Sequence, residues 1–492
     1  MVVFPADIDT LDVQKTTSSM TGIAARYFGA TLVAKDAETG DFIPYLAEKW
    51  QSSADGMQWE FTLRKDVKFH DGTPFTAKDY AYTIQRALDP KTASMLAASQ
   101  LQYVAGAEAV DDYTLRLTLK MPNFSTLDNI CDPTMQPLSK TAVDKWGDDY
   151  ARHPVGVGPF RFKEWTTAKR IVLERNPDFA WPPNGLKGHA PYLDTIEFRI
   201  ISDSTASSAA LENGEISYGR VPPQDIDRIV AAGKYNTFDY LLQGSGMTLT
   251  MNDAKSPFTD VKVRQAFNMA VDRDALIKVV LRGHGVPQYG PLTASVRGYW
   301  PGVEQIGYHF DLDKAKALMV QAGYSAGSGG VLQKDGHPLQ MTLTTSTEVQ
   351  LAELLQQQLT SLGVNVKLEQ LEPGVMTTKV TAGNFDVSIG LMMWPDCSLL
   401  GAMFLSQMIG VLNDSRVNDP ALDQMILKMI MTGDAKVNLD TAAAVQKYVV
   451  EQAFIVPLYT EKYVVVVSKE FKGIVVSSVT GMPELFDAYY QK

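Results

Sequence analysis

Apolar and polar residues alternate along Trp59-Glu60-Phe61-Thr62-Leu63-Arg64, and Val67-Lys68-Phe69 continues the period up to a turn at His70-Asp71-Gly72-Thr73-Pro74. A period of two places alternate side chains on opposite faces, so this stretch predicts a half-buried strand running into a turn. The pattern then changes: the residues from Thr76 to Leu88 carry apolar positions at helical spacing. Thr76 stands where an N-cap belongs, with Asp79 three residues on, and Asp89-Pro90 stops the helix. Tyr113-Thr114-Leu115-Arg116-Leu117-Thr118-Leu119 alternates again, and Arg170-Ile171-Val172-Leu173-Glu174 forms another strand in a stretch punctuated by Pro154, Pro159, Pro177, Pro182, Pro183 and Pro191.

Further helices are expected over 206–213, 261–269, 313–322 and 349–362. Gly363 stops the last of these before a strand at 363–368. The β-branched run Val464-Val465-Val466-Val467 predicts a fully buried strand. Ser325-Ala326-Gly327-Ser328-Gly329-Gly330 is expected to be a flexible loop tip. Strands and helices intermingle along the whole length, which is α/β character without strict alternation.

At 492 residues the chain exceeds the roughly 250–300 that one core accommodates, so more than one structural unit is expected. Hydrophobic residues make up 45% and charged residues 21%, the balance of an ordinary globular protein. The 45 Lys+Arg against 56 Asp+Glu leave a net charge of −11, which repels phosphate backbones and argues against a nucleic-acid partner. No apolar run approaches the ~20 residues that span a bilayer. The start Met-Val-Val-Phe-Pro lacks a basic segment followed by an apolar one, so no signal peptide is expected here: the chain is either cytoplasmic or a mature domain whose signal was removed. Cys131 and Cys397 make no disulfide framework; whether they pair or stay as free thiols is open at this stage.

Common catalytic constellations are missing. There is no His-Glu-x-x-His, Gly-x-Ser-x-Gly, Ser-x-x-Lys or Walker loop, and Pro159 after Gly156-Val157-Gly158 removes an N–H that a dinucleotide loop needs. The six histidines, His70, His153, His189, His284, His309 and His337, are scattered with no pair at metal-ligand spacing. His70-Asp71 sits in a turn, where Asp-Gly serves backbone geometry better than acid–base work. The reading is of a protein that is not an enzyme and carries no cofactor or metal.

An ordered series of blocks is distinctive. Pro44-Tyr45-Leu46-Ala47-Glu48-Lys49-Trp50 precedes the Trp59–Asp79 stretch. Pro154-Val155-Gly156-Val157-Gly158-Pro159-Phe160, Arg175-Asn176-Pro177-Asp178-Phe179 and Leu211-Glu212-Asn213-Gly214-Glu215-Ile216 follow. Then come Pro257-Phe258-Thr259-Asp260-Val261-Lys262-Val263-Arg264-Gln265-Ala266-Phe267, Ala322-Gly323-Tyr324 and Ile455-Val456-Pro457-Leu458-Tyr459. The series resembles the signature of the oligopeptide/dipeptide/nickel/opine solute-binding proteins, family 5, structural cluster C.

The resemblance implies a two-lobe, type II periplasmic-binding-protein fold with an extra subdomain in lobe one and two hinge strands. Lobe one would comprise 1–245 and 463–492, with the subdomain at about 31–160, and lobe two 246–462. The crossings would fall near Gln243–Met247 and Tyr463–Val467. It also implies a periplasmic monomer that closes on one small-molecule ligand and delivers it to the permease of an ABC importer. Gly72, Pro74 and Gly158 would set turns, and Arg264 and Asp272 would hold a helix and its cap.

Candidate ligand contacts follow. Gly244, Ser245 and Gly246 at the first crossing offer backbone N–H groups and a hydroxyl to a carboxylate, phosphate or sugar; a plain flexible hinge is the alternative. Trp394 and Asp396 follow a strand at 385–390. Peptide-binding relatives carry a Trp and an acid in this region, where the acid neutralises the peptide's α-amino group. Cys397-Ser398-Leu399 departs from the usual continuation, which tilts the reading towards a sugar or opine conjugate over an oligopeptide. Ser19 and Met20 follow the first expected strand, and Ser346, in Thr345-Ser346-Thr347, caps a helix or meets ligand. Nickel and haem are disfavoured, because these segments hold no histidine. A peptide receptor or chaperone and a hydrolase on the same scaffold remain the competing classes.

Overall fold

The computed structural model describes residues 1–492 apart from 38, 184–189, 478–481 and 492; His189 therefore lies outside the described residues. Contacts divide the chain into two compact units, 1–240 with 464–492, and 241–463.

In the first unit a mixed sheet runs, in order, through the 464–467 part of the Ile455–Ser468 strand, then Tyr218–Val221, Val2–Phe4, Thr195–Ile200, Arg170–Arg175 and Phe160–Thr166. Val2–Phe4 pairs parallel with Thr195–Ile200, so Phe4 and Phe198 stack with ring centroids 4.6 Å apart in the core beneath the Ser19–Phe28 helix. A second core in this unit belongs to the antiparallel sheet Ala47–Ser52, Gln58–Leu63, Thr114–Leu119 and Val104–Ala109. Alternation works as read here: Phe61 and Leu63 face inwards while Thr62 is exposed. The Ala77–Leu88 helix covers that sheet, and Thr76 and Asp79 close a capping box at its start. His70 is half-buried, with Nε2 3.0 Å from the Gly158 carbonyl. Burial pushes its imidazole down to about 4, because the cation would lose its hydration.

In the second unit the order is Asn365–Gln370, Gln340–Thr345, Val387–Gly390, Met247–Met251 and the early part of Ile455–Ser468. The first three strands run parallel, with helices in the connections between them, and Met247–Met251 runs against them. The Val261–Met269, Arg273–Val280, Leu312–Gln321 and Val349–Leu362 helices bury their apolar faces on this sheet. Asp272 caps its helix through the Ala275 amide, and Arg264 is held inside by the Gln452 and Phe258 carbonyls. Gly363 ends the Val349–Leu362 helix at φ +103°, a conformation a β-carbon would strain.

Two expectations change, and the open question of the cysteines is answered. Only the first two residues of the expected Ser325–Gly330 loop tip are strand: Ser325–Ala326 pairs with Leu332–Lys334, which pairs with His337–Pro338, and the Ser328–Gly330 turn joins the first pair. The strand expected at Gln243–Met247 is a loop up to Gly246, and the chain leaves the first unit at the end of the preceding Tyr235–Leu241 strand. Cys131 and Cys397 are free thiols, one in each unit. No helix among the described residues is long and apolar enough to cross a membrane.

Candidate functional site

Strand direction decides which loops gather in the second unit. Gln340–Thr345 and Val387–Gly390 are parallel neighbours, so the segments leaving their C-terminal ends, Ser346 and Leu391–Asp396, emerge on one edge of the sheet. Met247–Met251 is antiparallel to Val387–Gly390, with Thr248 opposite Gly390, so the loop entering it arrives at the same edge. Gly244, Ser245, Gly246, Ser346, Trp394 and Asp396 are thus brought to one edge from positions far apart in the chain. The carboxyl ends of strands in open α/β sheets are where ligands collect.

The chemistry of these residues differs from the expectation. Ser245 is buried; its N–H donates to the Met392 carbonyl at 2.9 Å, and its hydroxyl oxygen accepts the Met392 N–H at 2.9 Å. The hydroxyl proton goes to the Gly246 carbonyl, and the Gly244 N–H donates to Thr293 Oγ1 at 3.2 Å. Gly244 stands at φ +137°, where a β-carbon would lie 1.8 Å from the Met392 oxygen, and a β-carbon on Gly246 would meet the Gln288 amide. The Gly-Ser-Gly segment is a clamp for residue 392. Its Gly244 and Ser245 donors are spent inside the unit, which removes the anion-binding role expected of them.

Asp396 is corrected in the same way. It is 1% exposed; Oδ1 accepts the Ser398 N–H at 2.8 Å, and Oδ2 lies 3.7 Å from Arg297 Nη2. A carboxylate already answered by a guanidinium is a poor anchor for a peptide's ammonium group. Arg297 went unnoticed in the sequence because it belongs to no periodic element. Burial and the Asp396 charge together push the neighbouring Cys397 thiol up to about 12.

What this framework presents is apolar. Leu391 is 38% and Met393 64% exposed, and Trp394 is half-buried with its indole N–H fixed on Ser398 Oγ at 2.8 Å. Ser346 is half-buried, and its carbonyl accepts from Gln370 Nε2. It does not cap: the Val349–Leu362 helix begins after Glu348 with no side-chain cap.

In the first unit Ser18, not Ser19, is the N-cap of the Ser19–Phe28 helix, accepting the Met20 N–H at 3.2 Å. Ser19 is exposed in the first turn, and Met20 is half-buried against the core. The strand they were expected to follow ends at Phe4, well upstream.

The model of the bacterial extracellular solute-binding proteins, family 5, matches residues 41–406. The chain belongs to this family. Its members are solute-binding components of ABC transporters, and this chain shares their two-lobe, type II fold. The glutathione-binding protein GsiB of Shigella flexneri is 27% identical over 497 residues, covering 98% of this chain and 92% of that one. The periplasmic binding protein DppA from Helicobacter pylori, in complex with peptide STSA, superposes with a TM-score of 0.80 at 26% identity over 100% of this chain and 98% of that one. HbpA2 from Haemophilus parasuis gives 0.87 at 23% identity, covering 100% and 99%.

Proposed function

We infer that this family 5 protein works in the periplasm, captures a short peptide of the size of glutathione, and passes it unchanged to an ABC importer permease. The observation that carries the reading is the Leu391–Trp394 loop: apolar side chains presented on a backbone that Ser245 clamps, at the ligand-collecting edge of its sheet. Such a wall suits the side chain of a small peptide, and rigid support lowers the ordering cost of binding it. The names carried by full-length relatives, glutathione-binding and peptide-bound, support the same class. Trp394 is the proposed contact on this edge.

A second reading, a sugar or opine conjugate, is favoured by one observation. The engagement of Asp396 with Arg297 withdraws the acid that an α-amino group would seek.

The test is calorimetric and fluorescence titration of protein that has been unfolded and refolded to strip carried-over ligand. Glutathione, di- to tetrapeptides, opine conjugates and oligosaccharides are the panel. Saturable binding of glutathione or a peptide, recovered with unaltered mass, supports the first reading. Binding confined to conjugates or sugars replaces it with the second, and a changed mass replaces both with an enzyme.

A further inference from the structure

Two backbone amides at one helix start in the second unit have no acceptor. The Val349–Leu362 helix follows the Gln340–Thr345 strand after three residues and begins without a side-chain cap. The Val349 amide turns back to the Thr347 carbonyl at 3.0 Å, and Ala352 takes up the regular bond to the Glu348 carbonyl at 2.9 Å. Between them, the amides of Gln350 and Leu351 meet no acceptor among the described residues. Thr345, the last residue of the strand, is 2% exposed, and its hydroxyl likewise has no partner. By alternation it shares a face with Met341 and Leu343, which lie in one core with Leu351 and Leu355 of this helix. The unanswered hydroxyl therefore lies on the sheet face that the helix start covers.

The same helix start carries a carboxylate. Other acids where strands end at this edge are engaged: Asp396 with Arg297, Glu369 with Lys379, and Glu372 with the Val375 amide. Glu348 is half-buried and, among the described residues, accepts only the Thr347 hydroxyl, at 3.3 Å. Burial, then the charges of Glu348 and Glu461, push the neighbouring Tyr459 phenol up, so that side chain stays a neutral hydroxyl beside the carboxylate. A helix start with open amides attracts an anion, and a carboxylate attracts a cation. Side by side they reject either charge alone: Glu348 repels a bare carboxylate, and the helix start repels a bare ammonium. A group that carries both charges on one carbon meets neither penalty.

We propose that Glu348, the Gln350 and Leu351 amides and the Thr345 hydroxyl form a subsite for a free α-amino acid head group. Its ammonium meets Glu348, and its carboxylate meets the two amides and the hydroxyl. This deepens the reading of a glutathione-sized ligand and rests on it. Glutathione carries such a head at its γ-glutamyl end, whereas a peptide joined through α-carboxyl groups keeps its terminal charges at opposite ends. Glu348 then supplies the negative charge that Asp396, held by Arg297, does not.

The test compares full-length wild type, Glu348→Gln and Thr345→Val by calorimetric titration with glutathione and with its isomer joined through the α-carboxyl group of glutamate. Wild type is expected to bind glutathione about tenfold more tightly than the isomer, the worth of one hydrogen bond to a charged group. Each variant should weaken glutathione about tenfold and narrow the gap, with far less change for the isomer. Both substitutions keep side-chain shape, and an unchanged melting temperature separates loss of the subsite from loss of the fold. Equal binding of the two isomers, or a gap that either folded variant leaves intact, would overturn the subsite. Wild type that binds neither isomer overturns the glutathione-sized reading, and the subsite is then judged with L-glutamate at millimolar concentration. Protection of the Gln350 and Leu351 amides from hydrogen exchange in wild type, lost in Glu348→Gln, sustains it; no protection overturns it.

Discussion

Ser245 and Met392 hold each other by two reciprocal bonds, the Ser245 amide to the Met392 carbonyl and the Met392 amide to the Ser245 hydroxyl, each 2.9 Å long. The pair joins the loop entering one strand to the loop leaving its antiparallel neighbour. It makes residue 392 the fixed point from which Met393 and Trp394 project. Ser245→Ala leaves a buried amide without an acceptor, so a loss of about 1–3 kcal/mol is expected in urea unfolding. Gly244→Ala should cost more, since its β-carbon would sit 1.8 Å from a carbonyl oxygen.

Arg297 and Asp396 form a pair with one member buried and the other 31% exposed. Removing a partner from a fully buried pair costs about 3–5 kcal/mol, and the exposure of Arg297 lowers the expectation for Arg297→Ala to about 1–3 kcal/mol. Arg297→Ala combined with Asp396→Asn should recover much of that loss, because no uncompensated charge remains. Equal losses for the single and double variants in chemical denaturation would show that the guanidinium acts by packing alone.

His70 gives the protein an acid-sensitive window. Its folded value is depressed to about 4 from 6.5, so above pH 6.5 both folded and unfolded forms are neutral and its contribution is complete. As pH falls from 6.5 to about 4, only the unfolded chain gains the proton, and stability drops at up to about 1.4 kcal/mol per pH unit. The His70→Asn variant should lack this part of the pH profile, measured as unfolding free energy between pH 7 and 4.

Burial raises both thiols, Cys131 to about 11 and Cys397 to about 12. Native protein at pH 8 should therefore react slowly with a thiol-specific disulfide reagent, and denatured protein should release two equivalents at once. Prior reduction should change neither count.

Much of the local structure was legible along the chain. The Val261–Met269 and Val349–Leu362 helices fall on their expected bounds, because the Asp260 cap of the first and the Gly363 stop of the second each adjoin a periodic apolar face. The Thr76–Asp79 box was equally plain, since its two residues are three positions apart. Ser325–Gly330 misled because glycine and serine content marks a turn and does not say whether its flanks pair.

The sequence by itself determined the family, the α/β class and the apolar faces that build each core, for these depend on composition, period and ordered blocks. Tertiary structure decided what the candidate contacts do. Ser245 and Met392 are 147 positions apart, and Arg297 meets Asp396 only because a loop returns beside its strand edge. Whether a glycine's amide or an aspartate's charge is free depends on partners that no local pattern names.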